Sequence, residues 1–469
     1  MAHLSITVII TDYIISWLFD FVNRKIKIFI DFFIFNDIML SDLPKAYSAF
    51  IERTSQMASS PNYKRTLRAC YLGYITQAIV NNLSPLFFAI FHTDFGISLS
   101  LLGTLVLINF VTQLLIDLLA AKFGNHFTYR QLMVTAHFAN VAGLVALSIL
   151  PGIMPAYTGL IIATVLNAVG GGLAEVVVSP TVDALPSDCK EASMSLLHSF
   201  YCWGQLLTVA GTTLVLKIIG SSNWRIIPLL WALIPLFNAF NFMKVPLIEP
   251  EADAENGTVK HLFRHKFFYM IMIMMLCGGA AELTVSQWSS LFAEKGLAIS
   301  KVVGDLLGPG LFAIFMGTGR MLYGIFGSKI NLRSALIGCS ALGVVCYLAT
   351  AFVPNAFLSL IACAMTGLAV SLMWPGSLSV ASAEFPRGGT SMFAILALCG
   401  DFGCSLGPWL AGIVSDSAGK NEGIISFAAK LGIDAESAAL RSGIAVGTVF
   451  PLLLLLLLIC TAKKKKQNT

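Results

Sequence analysis

The stretch Gly172-Leu-Ala-Glu-Val-Val-Val-Ser-Pro180 has a counterpart, Gly367-Leu-Ala-Val-Ser-Leu-Met-Trp-Pro375, in the second half of the chain. Each stretch begins with Gly-Leu-Ala, keeps the same spacing from glycine to proline and lies within a long apolar run. Each is followed by a second proline and then by a Ser-Met pair, namely Pro186 with Ser193-Met194 and Pro386 with Ser391-Met392. These shared features in one order indicate that the two halves of the chain are duplicates.

The composition around these stretches is that of a membrane protein. Of the 469 residues, 57% are hydrophobic and 12% are charged, whereas a soluble domain has about 25% charged residues. Hydrophobicity spread over the whole length cannot come from one anchor or one buried core. It excludes most soluble enzymes and predicts that the chain lies mainly in the lipid bilayer. The net charge of +5 owes much to the terminal run Lys463 to Lys466, and we expect no binding of nucleic acid.

Neither a cofactor nor a metal site is expected. The ten cysteines are scattered through apolar runs, with no Cys-x-x-Cys pair and no cluster of histidines, which is unlike a disulfide framework or a zinc site. The chain also has no His-Glu-x-x-His motif and no Walker loop. We therefore predict neither an enzyme nor an ATP-driven pump.

Apolar runs long enough to cross about 30 Å of hydrocarbon as helices fill the chain after its first 66 residues. Their number is twelve, with six before and six after a polar connection. The pattern predicts an all-α membrane protein of twelve transmembrane helices in two pseudo-symmetric six-helix bundles. The runs cover residues 67–91, 101–121, 132–150, 157–178, 195–219, 226–243, 267–288, 306–326, 334–352, 357–380, 392–414 and 444–460.

The polar connection is the natural domain boundary. We predict an N-terminal six-helix bundle over residues 67–244, a cytoplasmic central loop over 245–266, a C-terminal six-helix bundle over 267–462 and a basic cytoplasmic tail over 463–469. Residues 1–66 form an N-terminal extension with two explanations. Its apolar stretches could form an interfacial helix, or the native protein could begin at Met57, whose following residues are an ordinary polar lead into a first span.

Basic residues indicate the orientation of the chain in the membrane. The loops at one end of the predicted spans carry most of the lysines and arginines, including Lys64, Arg65, Lys260 and Arg264. Because such residues accumulate in cytoplasmic loops, both termini are predicted to be cytoplasmic. We expect an integral multi-pass protein of the plasma (inner) membrane that is monomeric.

Polar residues recur at helical spacing inside several spans. Gln77 and Asn81 lie one turn apart in the first span, and Asn109, Gln113 and Asp117 do so in the second. Residues four apart share a helix face, so each span has a polar stripe whose amides could bind the hydroxyls of a solute. Hydrogen bonding between helices explains any one of these residues equally well. Several stripes together favour a polar cavity.

Three acidic residues inside the spans, Glu175, Glu282 and Asp401, are candidates for proton coupling. An ionised side chain at the bilayer centre costs about 2.5–3.5 kcal/mol, so each is a functional hypothesis. Burial disfavours the charged form of a carboxyl group, which would let Glu175 exchange protons near neutral pH. Each could instead be a neutral acid that ties helices together. Asn167 lies about two turns before Glu175, near the same face, and is a candidate for solute binding.

The fifth, seventh and tenth spans add further candidates for solute binding. His198 and Gln205 lie seven residues apart in the fifth span, where His198 could shuttle protons or bind a hydroxyl. Gln287 and Trp288 end the seventh span, and Trp374 lies in the tenth. Indole faces beside amides suit sugars, whose C–H faces stack on the ring. A tryptophan near a span end is equally typical of an interfacial anchor.

The layout and several motifs of residues 67–460 resemble the major facilitator superfamily, and within it the fucose-permease-like group of sugar:proton symporters. Asn81-Asn82-Leu83 is similar to the paired asparagines of the permeases' first span, which implies that Asn82 contacts the solute. Glu175 precedes Pro180 by five residues, as an intramembrane glutamate does in these permeases. Gly319-Arg320 lies where the group has a Gly-Arg pair, and we expect Arg320 to gate or to snorkel rather than to bind solute.

The loop after the second span resembles the gating motif of the same superfamily. The run Asp117-Leu-Leu-Ala-Ala-Lys122-Phe-Gly124 keeps the motif's basic residue and its glycine. The resemblance implies gating roles for Asp117, Lys122 and Gly124. The motif's usual aspartate is replaced by Ala121, which argues against a gating salt bridge through that position.

One departure from the permeases bears on mechanism. Pro85 stands where their first span has an aspartate, so proton coupling would rest on Glu175 alone, shift to Glu282 or Asp401, or be absent. The resemblance implies a secondary active transporter that moves a small polar solute, a sugar or polyol, by alternating access between two halves, with or without protons. The alternatives are a proton-driven drug or metabolite exporter of the same fold and a non-transporting membrane sensor.

Overall fold

The computed structural model of the protein describes residues 61–123, 127–185, 190–248, 262–326, 331–385 and 389–467. Outside these ranges lie residues 1–60 of the predicted extension, residues 249–261 of the predicted central loop, Gly124, Pro186, Pro386 and the last two residues of the tail. Lys122 is described in its backbone alone.

Helical spans follow one another through the described part of the chain, and we number them α1 to α12. They are α1 (Pro61–Asn82), α2 (Leu99–Phe123), α3 (Tyr129–Ile153), α4 (Ala156–Ala184), α5 (Lys190–Ile219), α6 (Ile226–Phe242), α7 (Lys266–Leu291), α8 (Lys301–Asp305 and Leu311–Phe326), α9 (Leu332–Phe352), α10 (Ala356–Val370 and Met373–Glu384), α11 (Gly389–Gly419) and α12 (Ala435–Gly447 and Val449–Gln467). Shorter helical segments lie at Ser84–Phe87, Phe88–Phe95, Ser221–Asn223, Phe292–Gly296, Leu306–Gly310 and Glu422–Lys430.

These helices are suited to a bilayer by length and composition. Within the described residues, eleven are long and apolar enough to cross a membrane, and α6 is a shorter apolar helix of 17 residues. Backbone amides find no water in hydrocarbon, so chain segments there are stable as fully hydrogen-bonded helices. The predicted all-α membrane fold of twelve helices in two sets of six is confirmed.

Several helices begin at polar caps outside the apolar runs. The Thr128 side chain accepts a hydrogen bond from the backbone N–H of Gln131 at the start of α3, and the Gln131 side chain accepts one from the backbone N–H of Thr128. Asn331 and Asn355 cap α9 and α10 through their side chains. Caps of this kind satisfy the first amides of a helix. Most of the observed helices, α3 and α9 among them, are longer than the predicted apolar runs because this hydrogen bonding continues into the polar ends.

The prolines of the chain have different effects in different spans. Pro85 lies in a 3₁₀ turn that follows α1, after which the helix resumes. Pro375 lies at the start of the second part of α10, which is interrupted between its two parts. Its counterpart Pro180 lies within an uninterrupted α4. The tenth span, predicted as one run over residues 357–380, is therefore two helices.

Glycines allow α7 and α11 to pack closely in the second half. A Cβ atom on Gly403 would overlap the carbonyl oxygen of Leu276, and one on Gly407 would overlap the side chain of Thr284. Small residues four apart let two membrane helices approach through their backbones. Gly403-Cys-Ser-Leu-Gly407 also has the letters of a hydrolase nucleophile motif, which requires a strand-to-helix turn, but here the run lies inside one helix.

The two halves of the chain contact each other mainly through two helix pairs. α2 of the first half packs on α11 of the second, and α5 packs on α8. A Cβ atom on Gly103 of α2 would lie 3.1 Å from the carbonyl oxygen of Pro408 in α11, so these two backbones nearly touch.

Candidate functional site

A network of buried amides links α1, α2 and α4. The Asn81 side-chain oxygen accepts hydrogen bonds from Asn109 Nδ2 at 3.1 Å and from Gln113 Nε2 at 2.9 Å. Gln77 Nε2 lies 3.2 Å from Gln113 Oε1 and 3.3 Å from Glu175 Oε2. The two predicted polar stripes therefore face each other, and their hydrogen bonds end at the intramembrane glutamate.

The same network reaches the second half of the chain. Gln287 Nε2 of α7 donates to the backbone oxygen of Asn81 at 3.2 Å. Gln205 Nε2 of α5 donates to Ser286 Oγ of α7 at 2.9 Å. Asn82 Nδ2 donates to Tyr201 Oη at 3.4 Å. Gln77, Asn81, Asn82, Gln205 and Gln287 are each at most 6% exposed, so amides from both halves meet in the interior.

An ion pair lies beside this network within the second half. Arg320 Nη2 of α8 is 2.9 Å from Glu282 Oε2 of α7, and the two side chains are 18% and 10% exposed. The Arg320 Nη1 atom lies 3.6 Å from the sulfur of Cys202 on α5. Arg320 therefore extends from α8 to a helix of the first half, and its predicted gating role stays a prediction.

The break in α10 explains a further contact of Arg320. Pro375 has no N–H to donate to the carbonyl oxygen four residues earlier, which is that of Ser371. Arg320 Nε lies 3.4 Å from this oxygen and supplies a donor. A Cβ atom on Gly319 would overlap the side chain of Ser371, so the glycine lets α8 approach the break. The Gly-Arg pair thus has a structural basis in the proline of the repeat.

Three carboxyl groups on three different helices lie near one another. Glu175 on α4, Asp117 on α2 and Asp401 on α11 are close enough to interact electrostatically. Asp117 Oδ1 is buried and has no hydrogen-bond partner within the described residues. In the same part of the chain no three His, Cys, Asp or Glu side chains are placed to hold a metal ion. The arrangement suits proton exchange, since a carboxyl group is more easily neutralised beside other acids.

The exposed fraction of the side chains differs between the two ends of one face of α5. On α5, His198 is exposed and Tyr201 is half-buried, whereas Gln205 and Thr213 are 1% and 2% exposed. All four residues lie near one face of the helix. The exposure therefore falls along α5 from its first residues towards its last. We call the end where α5 begins the open end, and the end where it finishes the closed end.

Two carboxylates join the halves at the closed end. Asp416 of α11 accepts hydrogen bonds from the backbone N–H groups of Leu99 and Ser100, at 3.0 and 2.9 Å, and so caps α2 from the other half. Asp305, fully buried at the start of α8, accepts one from Thr213 of α5 at 2.8 Å. An acid at a helix N-terminus is favoured by the helix dipole as well as by the bonds. We call these two contacts the latches.

We expect Asp416→Ala to raise the population of molecules that are open at the closed end by about tenfold, because charge-assisted hydrogen bonds between the halves contribute about 1.5–3 kcal/mol. The distance between spin labels at Thr93→Cys and Ala435→Cys, both exposed positions at this end, measures that population. Asp434→Ala is the matched control, because Asp434 caps α12 within one half by accepting from Ser437 N at 2.8 Å. Equal distance distributions in the two variants would contradict the role given to the latches.

Some predicted residues lie apart from the network. Trp288 is 2% exposed and donates to the Pro408 carbonyl oxygen at 3.0 Å, so it joins α7 to α11 instead of anchoring the chain at an interface. Asn167 packs against Gly143 of α3, where a Cβ atom would overlap its amide. Trp374 is half-buried and packs over Gly400 of α11.

Sequence reasoning missed residues that act at the ends of the spans. Asp305 lies in a run with Gly and Pro that reads as a loop, yet it is buried and binds Ser290 Oγ at 2.5 Å and Lys301 Nζ at 3.1 Å. The spacing of four residues from Lys301 to Asp305 was an available signal, since such pairs share a helix face. The segment Val414 to Gly419, which contains Asp416, resembles the end of the eleventh span in the permeases, but the partners of Asp416 are backbone groups of a distant helix and could not be predicted from spacing.

Comparisons with known proteins give one family and several solved structures. The profile of the Major Facilitator Superfamily matches residues 70–408. No curated protein sequence gives a significant match. A bacterial homologue of the human lysosomal transporter Spinster, in an inward-facing and occupied conformation, is 14% identical with a TM-score of 0.69, over 87% of this chain and 98% of that one.

Two sugar symporters have the same fold. The structure of a D-xylose-proton symporter is 15% identical with a TM-score of 0.68, over 83% of this chain and 97% of that one. The E. coli fucose:proton symporter is 16% identical with a TM-score of 0.55, over 84% and 99%. At these identities the likeness concerns the arrangement of helices.

Proposed function

Because the chain belongs to the Major Facilitator Superfamily, we propose that it is a secondary active transporter of a small polar solute, a sugar or related polyol. The amide network between the halves is the observation that carries this proposal. Side-chain amides offer both donors and acceptors to hydroxyl groups, and Asn81, Gln205 and Gln287 bring them from α1, α5 and α7. Symporters of D-xylose and of fucose are among the proteins with this fold.

Alternating access is the mechanism that fits the closed and open ends. With both termini in the cytoplasm, α5 begins on the cytoplasmic side, so the open end faces the cytoplasm and the latches close the outside. The two bodies that move are the bundles over residues 67–244 and 267–462. Breaking the latches and closing the open end would present the same amides to the other side of the membrane.

Proton coupling is assigned to Glu175. Its Oε2 atom accepts from Gln77 at 3.3 Å, and Gln77 is in turn linked through Gln113 to Asn81. A change of protonation at Glu175 is therefore transmitted to the amides proposed to bind the solute. Asp401 and Asp117 lie within electrostatic range and make the fully ionised state of the cluster unfavourable.

The decisive experiment is uptake by the purified full chain in liposomes. Labelled hexoses, deoxyhexoses, hexuronates and polyols are supplied with and without an inward proton gradient. Accumulation of one of them under the gradient would support symport of that solute. Silence across the panel from protein shown to be folded by its thermal unfolding would contradict the proposed solute class.

We expect Asn81→Ala and Gln205→Ala each to weaken solute binding by about tenfold, because each removes a buried amide that the solute's hydroxyls would contact, worth about 1–1.5 kcal/mol. Binding is measured by competition against the labelled solute found in the uptake screen. Asn421→Ala is the control, because Asn421 is an exposed residue that caps the short helix Glu422–Lys430. Normal affinity in both site variants would move the binding site elsewhere.

A further inference from the structure

The Arg320–Glu282 pair points to the chemical class of the solute. We propose that the solute is a hydroxylated carboxylate, such as a sugar acid, and that Arg320 binds its carboxylate while Glu282 takes up a proton. This inference rests on the proposed transport function and makes its solute more specific.

The pair lies where a solute between the halves would reach it. Arg320 extends from α8 to within 3.6 Å of Cys202 on α5, a helix of the other half. Glu282 precedes Ser286 by one helical turn on α7, and Ser286 accepts from Gln205 of α5. The Arg320 and Glu282 side chains are 18% and 10% exposed, so neither is fully enclosed by the protein. Both ends of the pair are therefore accessible from the amide network.

Several N–H donors of Arg320 make only long or weak hydrogen bonds among the described residues. A guanidinium group has five N–H donors in a planar fork that matches a carboxylate. Among the residues that the structure describes, the short contact of this group is that of Nη2 with Glu282 at 2.9 Å. The Nε contact to Ser371 is long at 3.4 Å, and Nη1 faces a sulfur atom, which is a weak acceptor. A second carboxylate would be a stronger partner for this side chain than either.

The proton keeps the charge of the site balanced. As described, Arg320 and Glu282 are a neutral pair. When an anionic solute arrives and Glu282 gains one proton from water at the open end, the Nη2–Oε2 ion pair is exchanged for an ion pair between Nη2 and the solute carboxylate. The site remains neutral, so one proton accompanies each anion. A neutral sugar would need no such exchange, since uncharged amides and hydroxyls suffice for it.

The groups around Glu282 leave Arg320 as its main electrostatic partner. Arg320 faces it from α8, Tyr201 and Cys202 face it from α5, and Cys404 faces it from α11. A tyrosine and two thiols are uncharged at neutral pH in the absence of an activating neighbour. Protonation of Glu282 would therefore mainly weaken its ion pair with Arg320 and leave the guanidinium group available to another anion.

The test compares acids with their neutral counterparts on the full chain in detergent. D-Glucuronate and D-galacturonate are the acidic probes, and D-glucose and D-galactose are the neutral ones. Binding is measured by the ligand-induced rise in thermal unfolding temperature and by isothermal titration, with a pH dye to count protons. We expect an acid to bind at least tenfold more tightly than its neutral counterpart and to take up about one proton, with affinity falling as pH rises.

Substitutions at the pair separate a binding role from a structural one. Arg320→Gln should weaken binding of the acid by about 10- to 100-fold while leaving any binding of the neutral sugar within about threefold. Glu282→Gln should bind the acid without proton uptake and independently of pH. The double variant Arg320→Gln/Glu282→Gln, which has no unpaired buried charge, guards against loss of folding. Lys217→Gln removes an exposed charge at the closed end and is the control.

Each outcome bears on a different part of the proposal. A pair that only ties α7 to α8 would lower stability in both single variants without changing the preference for acid over neutral sugar, and that result would overturn the inference. Binding of neutral sugars with no binding of acids would also overturn it while leaving the proposed function standing. No binding of either class by folded protein, together with a silent uptake screen, would contradict the proposed function itself.

Discussion

Liposomes that contain Glu175→Gln protein should exchange labelled solute across the membrane but accumulate it at least about tenfold less under a proton gradient, because the proton carried by Glu175 is lost, while a proton bound at Glu282 together with an acidic solute is retained. Glutamine has nearly the shape of glutamate and cannot take up a proton. It can nevertheless hydrogen-bond to Gln77, whose Oε1 atom is buried and has no partner among the described residues. We therefore expect the variant to fold and bind the solute.

The unpartnered Gln77 oxygen also explains how the proton would act. Ionised Glu175 accepts from Gln77 Nε2. Protonated Glu175 has an O–H to donate, and Gln77 Oε1 is the acceptor beside it, so protonation favours the opposite orientation of the amide. That rotation would alter the bonds that Gln77 and Gln113 provide next to Asn81. The coupling is thus a change of hydrogen-bond direction along one chain of amides.

Two measurements check this prediction. Solute-dependent alkalinisation of the outside medium reports protons directly, and counterflow of labelled solute reports transport without a gradient. Glu436→Gln is the control, because Glu436 is an exposed residue near His92 at the closed end. Unimpaired accumulation by Glu175→Gln would remove Glu175 from the mechanism and leave Glu282 and Asp401 as candidates.

The second large effect is expected on folding. Gly403→Ala should abolish stably folded protein, because its Cβ atom would overlap the Leu276 carbonyl oxygen and press on the α7 backbone at Ala280. Backbone atoms of a packed helix cannot rotate away as a side chain can, and overpacking of this kind costs about 1–3 kcal/mol or more. Separation of α7 from α11 would also displace Trp288, which bonds to the α11 backbone.

Gly338→Ala is the matched control for that substitution. Gly338 lies in α9, and a Cβ atom there would meet nothing within 4 Å. Alanine is a better helix former than glycine, so this variant should be as stable as the parent protein or slightly more stable. Size-exclusion profiles and thermal unfolding in detergent measure both. A monodisperse Gly403→Ala protein with an unchanged unfolding temperature would show that α7 and α11 can separate without loss.

The helices and their order could be predicted because hydrophobicity over about 20 residues is a local property of the sequence. The interruption of α10 could not be predicted in this way. Pro180 and Pro375 occupy equivalent places in the repeat, yet the chain is broken near one of them alone. The carbonyl group that Pro375 leaves without a backbone donor is that of Ser371, and Arg320, 51 residues away in the chain, contacts it. Such a partner is a tertiary feature with no local signal.

The features of the candidate site that depend on local spacing could also be predicted, whereas the contacts between its helices could not. The stripes containing Gln77, Asn81 and Gln113 follow from the spacing of four residues, and the structure brings them together. Glu282 and Arg320 could each be recognised as a charge in a membrane span, but their pairing could not, because they lie on different helices. Trp288 has the residue type and the position near a span end that are typical of an interfacial anchor. Its burial depends on how closely α11 approaches α7, which the sequence does not indicate.

Pro375 couples the conformation of α10 to the binding of any ligand that contacts Arg320. Its missing N–H exposes the Ser371 carbonyl group, and Arg320 is the donor that the described structure supplies. Any ligand that draws the guanidinium away from Ser371 leaves this oxygen bare and weakens the joint between the two parts of α10. By thermodynamic linkage, if the ligand changes the equilibrium between the straight and bent forms of α10 by some factor, bending α10 changes the affinity for the ligand by the same factor. The missing N–H of Pro375 thereby couples ligand binding to the bending of α10 in the second half of the chain. The first half has no such coupling through α4, which is uninterrupted.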